Sequence, residues 1–282
     1  MQFIIHALAL LALFISTITD LRTREVPDWI SYGTIFTGIF IGVVKTILEA
    51  SWHPLLTMVA GLSLGFLLGT IMFYTGQWGG GDSKLLIGLG SLLGLNIFNL
   101  RESFLIGFLL NILITGALYG LIWILLLAIK HKREFIKTYK ALSKEPTMLF
   151  LRKIHLATVL LGLVLAFFTP RPLNSFLFTA TVLIYLLFHL WKLVKSVEQT
   201  AMIKKIPPSK LTEGDWVLKD VYYHGEYLCG PKDLGISKEQ IALLKKHRIT
   251  SVWVKEGIPF VPSFLFAYLL TLITGNWLAL IL

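Results

Sequence analysis

The sequence predicts an all-α polytopic membrane protein, a bundle of about eight transmembrane helices with a small α+β cytoplasmic domain. Two observations support this prediction. Of 282 residues, 55% are hydrophobic and only 15% are charged, and the mean hydropathy is +0.74. Eight stretches are long and apolar enough to be considered as spans. Helices are expected because a chain inside a bilayer must satisfy its own backbone polar groups.

The eight expected spans are separated by short connections, except after the fifth and the seventh. They cover residues 3–18, 30–48, 55–74, 85–98, 104–129, 156–168, 176–190 and 260–282. The first stretch lacks the basic n-region and the small-residue cleavage site of a signal peptide, so it is interpreted as a span.

The spans divide the chain into five expected regions. These are a membrane core at 1–129, a basic cytoplasmic loop at 130–155, two spans at 156–192, a small cytoplasmic accessory domain at 193–258 and a C-terminal span at 259–282. Pro146 is expected to break any helix near the end of the basic loop, whose charges favour contact with anionic lipid.

The accessory domain is expected to contain both strands and a helix. The patterns predict strands at 216–223 and 250–254 and a helix at 237–247. Cys229 is the single cysteine, so the chain cannot form an intrachain disulfide or a tetrahedral cysteine site.

Positive charge gives the expected orientation. If the spans alternate in direction, one side of the membrane receives 23 of the 26 Lys and Arg residues, and the other receives Lys45, Arg101 and Arg171. The positive-inside rule makes the richer side cytoplasmic. The N-terminus is then expected outside the cell.

Two short acidic motifs lie at the ends of expected spans, at residues 19–28 and 79–84. Ionisable residues at membrane depth are costly and usually functional. Asp20 ends the first span and Asp82 precedes the fourth, so two crossings return the chain to the same face. Two carboxylates that meet there can share a proton and activate a water molecule, which indicates an aspartyl protease.

The glycine run before Asp82 is expected to form a bent loop. Gly79, Gly80 and Gly81 can adopt backbone angles that other residues avoid, and they allow an extended peptide to approach closely.

These motifs resemble those of the type IV prepilin and archaeal preflagellin peptidases, which are GxGD membrane aspartyl proteases. The run from Gly79 to Leu86 is similar to their Gly-x-Gly-Asp-x-Lys-Leu signature, and the run from Asp20 to Asp28 is similar to their first motif. The resemblance implies that Asp20 and Asp82 are the catalytic pair. Asp28 is then a nearby acid expected to cap the second helix, and Lys84 has either an electrostatic or a surface role.

A later segment, residues 258–265, resembles the Pro-Phe-x-Pro segment of the same family, with Val261 where a glycine is often found. The resemblance implies a plasma-membrane enzyme that removes leaders from prepilin or preflagellin precursors at the cytoplasmic face. No cofactor, metal or nucleic acid is expected, and membrane lipids are expected partners. The cysteine-rich zinc region and the methyltransferase activity of bacterial members are not expected, which favours the archaeal type.

Two other functions remain open at this point. A presenilin-like or signal-peptide-peptidase-like intramembrane protease would carry its first aspartate beside a tyrosine inside a span, whereas Asp20 follows Thr19. A proton-coupled transporter could also use paired carboxylates, but such proteins often contain internal repeats, and none is visible in the sequence.

Overall fold

The structure, a computed structural model, describes residues 1–277 and is mostly helical in this range. Its helices are α1 (Gln2–Thr23), α2 (Asp28–Leu48), α3 (His53–Tyr74), α4 (Gly80–Leu93), α5 (Phe104–Lys130), α6 (Lys132–Leu142), α7 (Pro146–Phe168), α8 (Leu173–Val197), α9 (Lys238–Lys246) and α10 (Val261–Thr274). The strands are β1 (Ile203–Ile206), β2 (Trp216–Val217), β3 (Val221–Tyr223), β4 (Glu226–Cys229) and β5 (Val252–Lys255).

Six helices within residues 1–277 are long and apolar enough to cross a membrane, fewer than the eight predicted. They are α1, α2, α3, α5, α7 and α8. Helices α4 and α10 have 14 residues each and are therefore about 21 Å long, against a hydrocarbon core of about 30 Å. The predicted final span, 260–282, also extends beyond the described residues.

The shortness of α4 has a local cause. The apolar run of the sequence continues to Phe98, but Gly94 adopts a φ of 66° and ends the helix. Its N–H still donates to the carbonyl of Gly90, at 3.0 Å. A left-handed glycine of this kind is a common helix stop, and hydropathy alone does not reveal it.

The described chain forms two compact units. Unit 1 consists of residues 1–122, 207–252 and the segment from 257 onwards, and unit 2 consists of residues 123–206 and 253–256. In unit 1, α4 is packed against α1, α2 and α3. Leu85, Leu86 and Leu89 of α4 are fully buried, together with Phe108 of α5 and Phe264 of α10.

Helices α3 and α4 approach each other through glycine. A Cβ atom on Gly61 would lie 2.2 Å from the carbonyl oxygen of Gly90, and one on Gly90 would lie 2.4 Å from the carbonyl oxygen of Gly61. Neither position has room for a side chain. Small residues at membrane helix interfaces permit this backbone-to-backbone packing.

Residues 207–252 contribute a hairpin and a short helix to unit 1. Strands β3 and β4 pair antiparallel, with Tyr223 opposite Glu226. The predicted strand at 216–223 is interrupted by a bend at Lys219, which separates β2 from β3. Helix α9 begins with a capping box in which the backbone N–H of Gln240 donates to the hydroxyl oxygen of Ser237. The thiol of Cys229 is buried beside β3, and this burial raises its pKa to about 11.

Unit 2 contains the α7–α8 hairpin, α6, and β1 beside β5. The predicted basic loop is largely helical, because residues 132–142 form α6. Pro146 was predicted to break any helix near the end of this loop. It is the first residue of α7, which begins after the end of α6 at Leu142. Proline is tolerated at the first helical position, where its missing N–H has no intrahelical partner to lose.

Candidate active site

Asp20 is a buried acid in the last turn of α1. Its side chain is 4% exposed. Its Oδ2 atom accepts a hydrogen bond from the backbone N–H of Val261, at 2.9 Å. Val261 is the first residue of α10, so the carboxylate of Asp20 faces the N-terminal end of a helix. The unpaired N–H groups at such an end favour a negative charge.

Asp82 is the third residue of α4 and is only partly buried. Its Oδ2 atom accepts a hydrogen bond from the backbone N–H of Gly79, at 3.1 Å. An acidic side chain in the first turn satisfies one helix-terminal donor and interacts favourably with the helix dipole. This local bond orients the carboxylate of Asp82 back across the start of its own helix.

The two aspartates come together at one end of unit 1. The carboxylate of Asp20 is close enough to act electrostatically on that of Asp82. The start of α4 also lies against the connection that follows α1. A Cβ atom on Gly81 would lie 3.0 Å from the Cβ atom of Val26 in that connection. Residues that are 62 positions apart in the sequence therefore lie in one region of unit 1.

The glycine run is a helix start rather than the bent loop that was predicted. Gly79 precedes α4 with an ordinary φ of −69°, and Gly80 and Gly81 lie in its first turn. Gly81 does approach another part of the chain closely, at Val26, whereas the approach of an extended peptide stays a prediction. The bend before the motif occurs at Gly76, with a φ of 68°, against the indole ring of Trp216.

Asp28 and Lys84 connect the two motifs on the outside of the site. The Nζ atom of Lys84 lies 2.7 Å from Oδ1 of Asp28, and both side chains are substantially exposed. The ammonium group of Lys84 also lies 5.4 Å from the ring centroid of Tyr32. Asp28 was expected to cap α2; instead, Pro27 occupies the N-cap position and Asp28 is the first helical residue.

Two aromatic residues near the aspartates, Trp78 and Tyr119, were not predicted as site residues from the sequence. Trp78 is buried directly before the glycine run, and its ring centroid lies 5.9 Å from that of Phe260 and 5.1 Å from that of Phe264. Tyr119 of α5 lies within electrostatic range of Asp20. A tyrosine in a largely apolar span, and a tryptophan directly before the glycine run, are the sequence signals that could have identified them.

The region that contains both aspartates is similar to known proteins. The sequence model of the type IV leader peptidase family matches residues 7–128, which contain both aspartates. The chain is similar to three preflagellin peptidases, with 31% identity over 90 residues for Methanococcus voltae, 36% over 91 for Methanococcus maripaludis and 33% over 92 for Methanocaldococcus jannaschii.

Each of these alignments covers about a third of this chain and 38% of the relative's own length. No solved structure matches the chain. The matched region contains most of α1, all of α2 to α4 and most of α5, and it includes both acidic motifs. The match to the type IV leader peptidase family therefore covers residues 7–128, somewhat less than half of the chain.

Proposed function

We propose that the protein is a membrane aspartyl endopeptidase that removes the short N-terminal leader of type IV prepilin-like or preflagellin precursors. The observation that carries this proposal is that the chain around Asp20 and the chain around Asp82 converge at one end of unit 1. Gly81 lies against Val26, and Trp78 packs against Phe260, which precedes the Val261 donor to Asp20. Each carboxylate is oriented by a backbone N–H bond. The match of residues 7–128 to the leader peptidase family and the similarity to preflagellin peptidases support the choice of substrate.

The proposed mechanism is hydrolysis by a carboxylate pair that shares one proton. The ionised aspartate removes a proton from a water molecule while the water oxygen attacks the scissile carbonyl carbon. The protonated partner donates a hydrogen bond to the carbonyl oxygen, where negative charge develops. When the tetrahedral intermediate collapses, the C–N bond breaks and the leaving nitrogen receives a proton. The products are a leader with a new carboxylate and a shortened precursor with a new amine.

The active-site end of unit 1 faces the cytoplasm in this proposal. The charge distribution of the sequence supports this side, because Arg22 and Arg24 follow Asp20, and Lys84 follows Asp82, in the sequence. Two exposed positions of unit 1 allow a test in a Cys229→Ser background. Gln77→Cys, near Asp82, should react with a membrane-impermeant thiol reagent only after the cells are opened. Ser51→Cys, between α2 and α3, should react in intact cells, and the reverse pattern would contradict the cytoplasmic placement.

The function itself is tested by the mass of a precursor. A preflagellin co-expressed with the wild-type protein should lose its leader, and no methyl group should be added to the new N-terminus. Asp20→Asn and Asp82→Asn should each leave the precursor at full length, because an amide cannot exchange the required proton. Asp28→Asn is the matched control, since its carboxylate pairs with Lys84, and it should still cleave.

The outcomes separate the possible functions. An unprocessed precursor with abundant wild-type protein would argue against a leader peptidase. Cleavage by Asp20→Asn together with an inactive Asp28→Asn would show that the first catalytic aspartate was assigned to the wrong residue.

A further inference from the structure

The segment from Gly257 to Val261, which leads into α10, contacts the C-terminal end of α1 at two points. The backbone N–H of Val261 donates to Asp20, at 2.9 Å. The guanidinium group of Arg24, at the C-cap of α1, donates to the backbone carbonyl of Gly257. Both contacts use the backbone of the late segment, and both lie within one turn of the buried aspartate.

The same segment contacts the residue that precedes the glycine run. Trp78 packs against Phe260 and Phe264, which lie on either side of Val261. Trp78 is followed directly by Gly79, whose N–H donates to Asp82. One short stretch of chain therefore contacts the surroundings of both aspartates.

Helix α10 is itself held firmly against α5. The hydroxyl of Thr115 donates to the carbonyl of Ser263, at 3.0 Å, and the amide of Asn111 donates to the hydroxyl of Thr271, at 2.9 Å. Phe260 fits against Gly116, where a Cβ atom would lie 2.7 Å from its ring. A segment fixed in this way can impose an orientation on a carboxylate that it contacts.

We propose that residues 257–264 are a positioning element that orients the carboxylate of Asp20 through the backbone N–H of Val261. The proposal rests on the proposed function, because it assigns these residues a role in the same reaction. A backbone N–H bond at a helix end favours the charged form of the carboxylate that accepts it and holds that carboxylate in one orientation. The element acts through a backbone N–H group, which every residue except proline supplies, so valine at position 261 can provide the donor.

The expected size of the effect follows from the geometry. A displacement of a catalytic group by about 1 Å can reduce the rate by about a hundredfold. Loss of the Val261 donor should therefore reduce kcat by about tenfold to a hundredfold and leave KM within about twofold, because the donor contacts Asp20 and not the substrate.

The decisive experiment replaces the Val261 peptide N–H with an ester oxygen, by incorporating the α-hydroxy analogue of valine into the full-length protein. The side chain is unchanged and the hydrogen-bond donor is removed. An ester at Leu265 is the matched control, because it removes one donor from the same helix without touching Asp20. Thermal unfolding of both proteins should be similar, whereas only the Val261 ester should have a reduced kcat.

A second pair of variants tests the contact at Gly257. Arg24→Met removes the donor and should reduce kcat with KM unchanged, and Arg24→Lys should recover part of the loss. A rise in KM with kcat unchanged, in either the Val261 ester or Arg24→Met, would mean that the segment binds substrate and would overturn the positioning role.

These results distinguish the two proposals. Wild-type cleavage together with a Val261 ester of unchanged kcat would overturn the positioning element and leave the peptidase intact. A wild-type protein that cleaves no precursor would overturn the proposed function and, with it, the role of this segment.

Discussion

The helix packing of α3 and α4 in unit 1 differs from that of the α7–α8 hairpin in unit 2. In unit 1, Gly61 and Gly90 bring two backbones into direct contact. In the hairpin, the one glycine contact on α7 is between Gly162 and the side chain of Thr181. A backbone cannot move aside, whereas a side chain can change its rotamer. The comparison indicates that the unit with the aspartate pair is the unit with the less adjustable packing.

This difference has a physical reason. Lipid tails are as apolar as leucine, so helices in a bilayer gain little hydrophobic energy from association and depend on close packing. The hairpin exposes large apolar side chains along its length, including Phe176, Leu183 and Leu187. Helix α4, in contrast, buries most of its side chains and carries Asp82 at its start. Fixed packing of α4 therefore fixes one half of the site.

Gly90→Ala should have the largest effect of the three glycine substitutions that test the comparison. Its new methyl group would lie 2.4 Å from the Gly61 carbonyl oxygen, so α3 and α4 must separate. We expect a destabilisation of about 1–3 kcal/mol or more and a large loss of folded protein, measured by thermal unfolding in detergent. Gly120→Ala in α5, which meets no atom within 4 Å, is the control and should unfold at or above the wild-type temperature. Equal unfolding temperatures for the two variants would refute the backbone contact.

Gly81→Ala should have a smaller effect that appears mainly in cleavage. The methyl group would press on Val26 at 3.0 Å and shift the start of α4, and with it Asp82, so we expect an activity loss of about tenfold.

The two neighbouring glycines serve as comparisons. The methyl group of Gly80→Ala would meet only the Phe73 ring, at 3.6 Å, and this variant should be tolerated. The family signature predicts that Gly79→Ala is also harmful, although the structure shows an ordinary contact of 3.5 Å with Asp82. Full activity of Gly81→Ala would remove the packing argument for this position.

Gly162→Ala should have the smallest effect of the three. The nearest obstructing atom, 2.3 Å from the new methyl group, is the hydroxyl oxygen of Thr181. This side-chain atom can move if it gives up its hydrogen bond to the carbonyl of Leu177, whereas a backbone carbonyl in a helix cannot. We expect a destabilisation of about 1 kcal/mol and normal cleavage. The double variant Gly162→Ala with Thr181→Ser should recover part of the stability, as seen in the unfolding temperature. A loss as large as that of Gly90→Ala would show that the two interfaces do not differ as described.

The sequence predicts the candidate site where side chains form it. Asp20 and Asp82 were predicted from the motifs, and the two spans between them predicted only that both aspartates lie at the same face of the membrane. The Val261 donor could not be found in this way, because a backbone N–H has no side-chain signature and its partner is 241 positions away. The same limit applies to Gly94, whose positive φ ends α4 inside an apolar run. Pro146 shows a further limit, since proline both starts and interrupts helices.

The central claim is that Asp20 and Asp82 act as one catalytic unit, and the rates of leader removal by single and double variants test it most directly. Purified protein in vesicles would be assayed with a preflagellin as wild type, Asp20→Asn, Asp82→Asn and the double variant. Residues that act as a unit are strongly non-additive. The account predicts that each single variant loses as much activity as the double variant. A double variant whose fold-loss equals the product of the two single fold-losses would contradict it. A single variant that retains substantial activity would also contradict it.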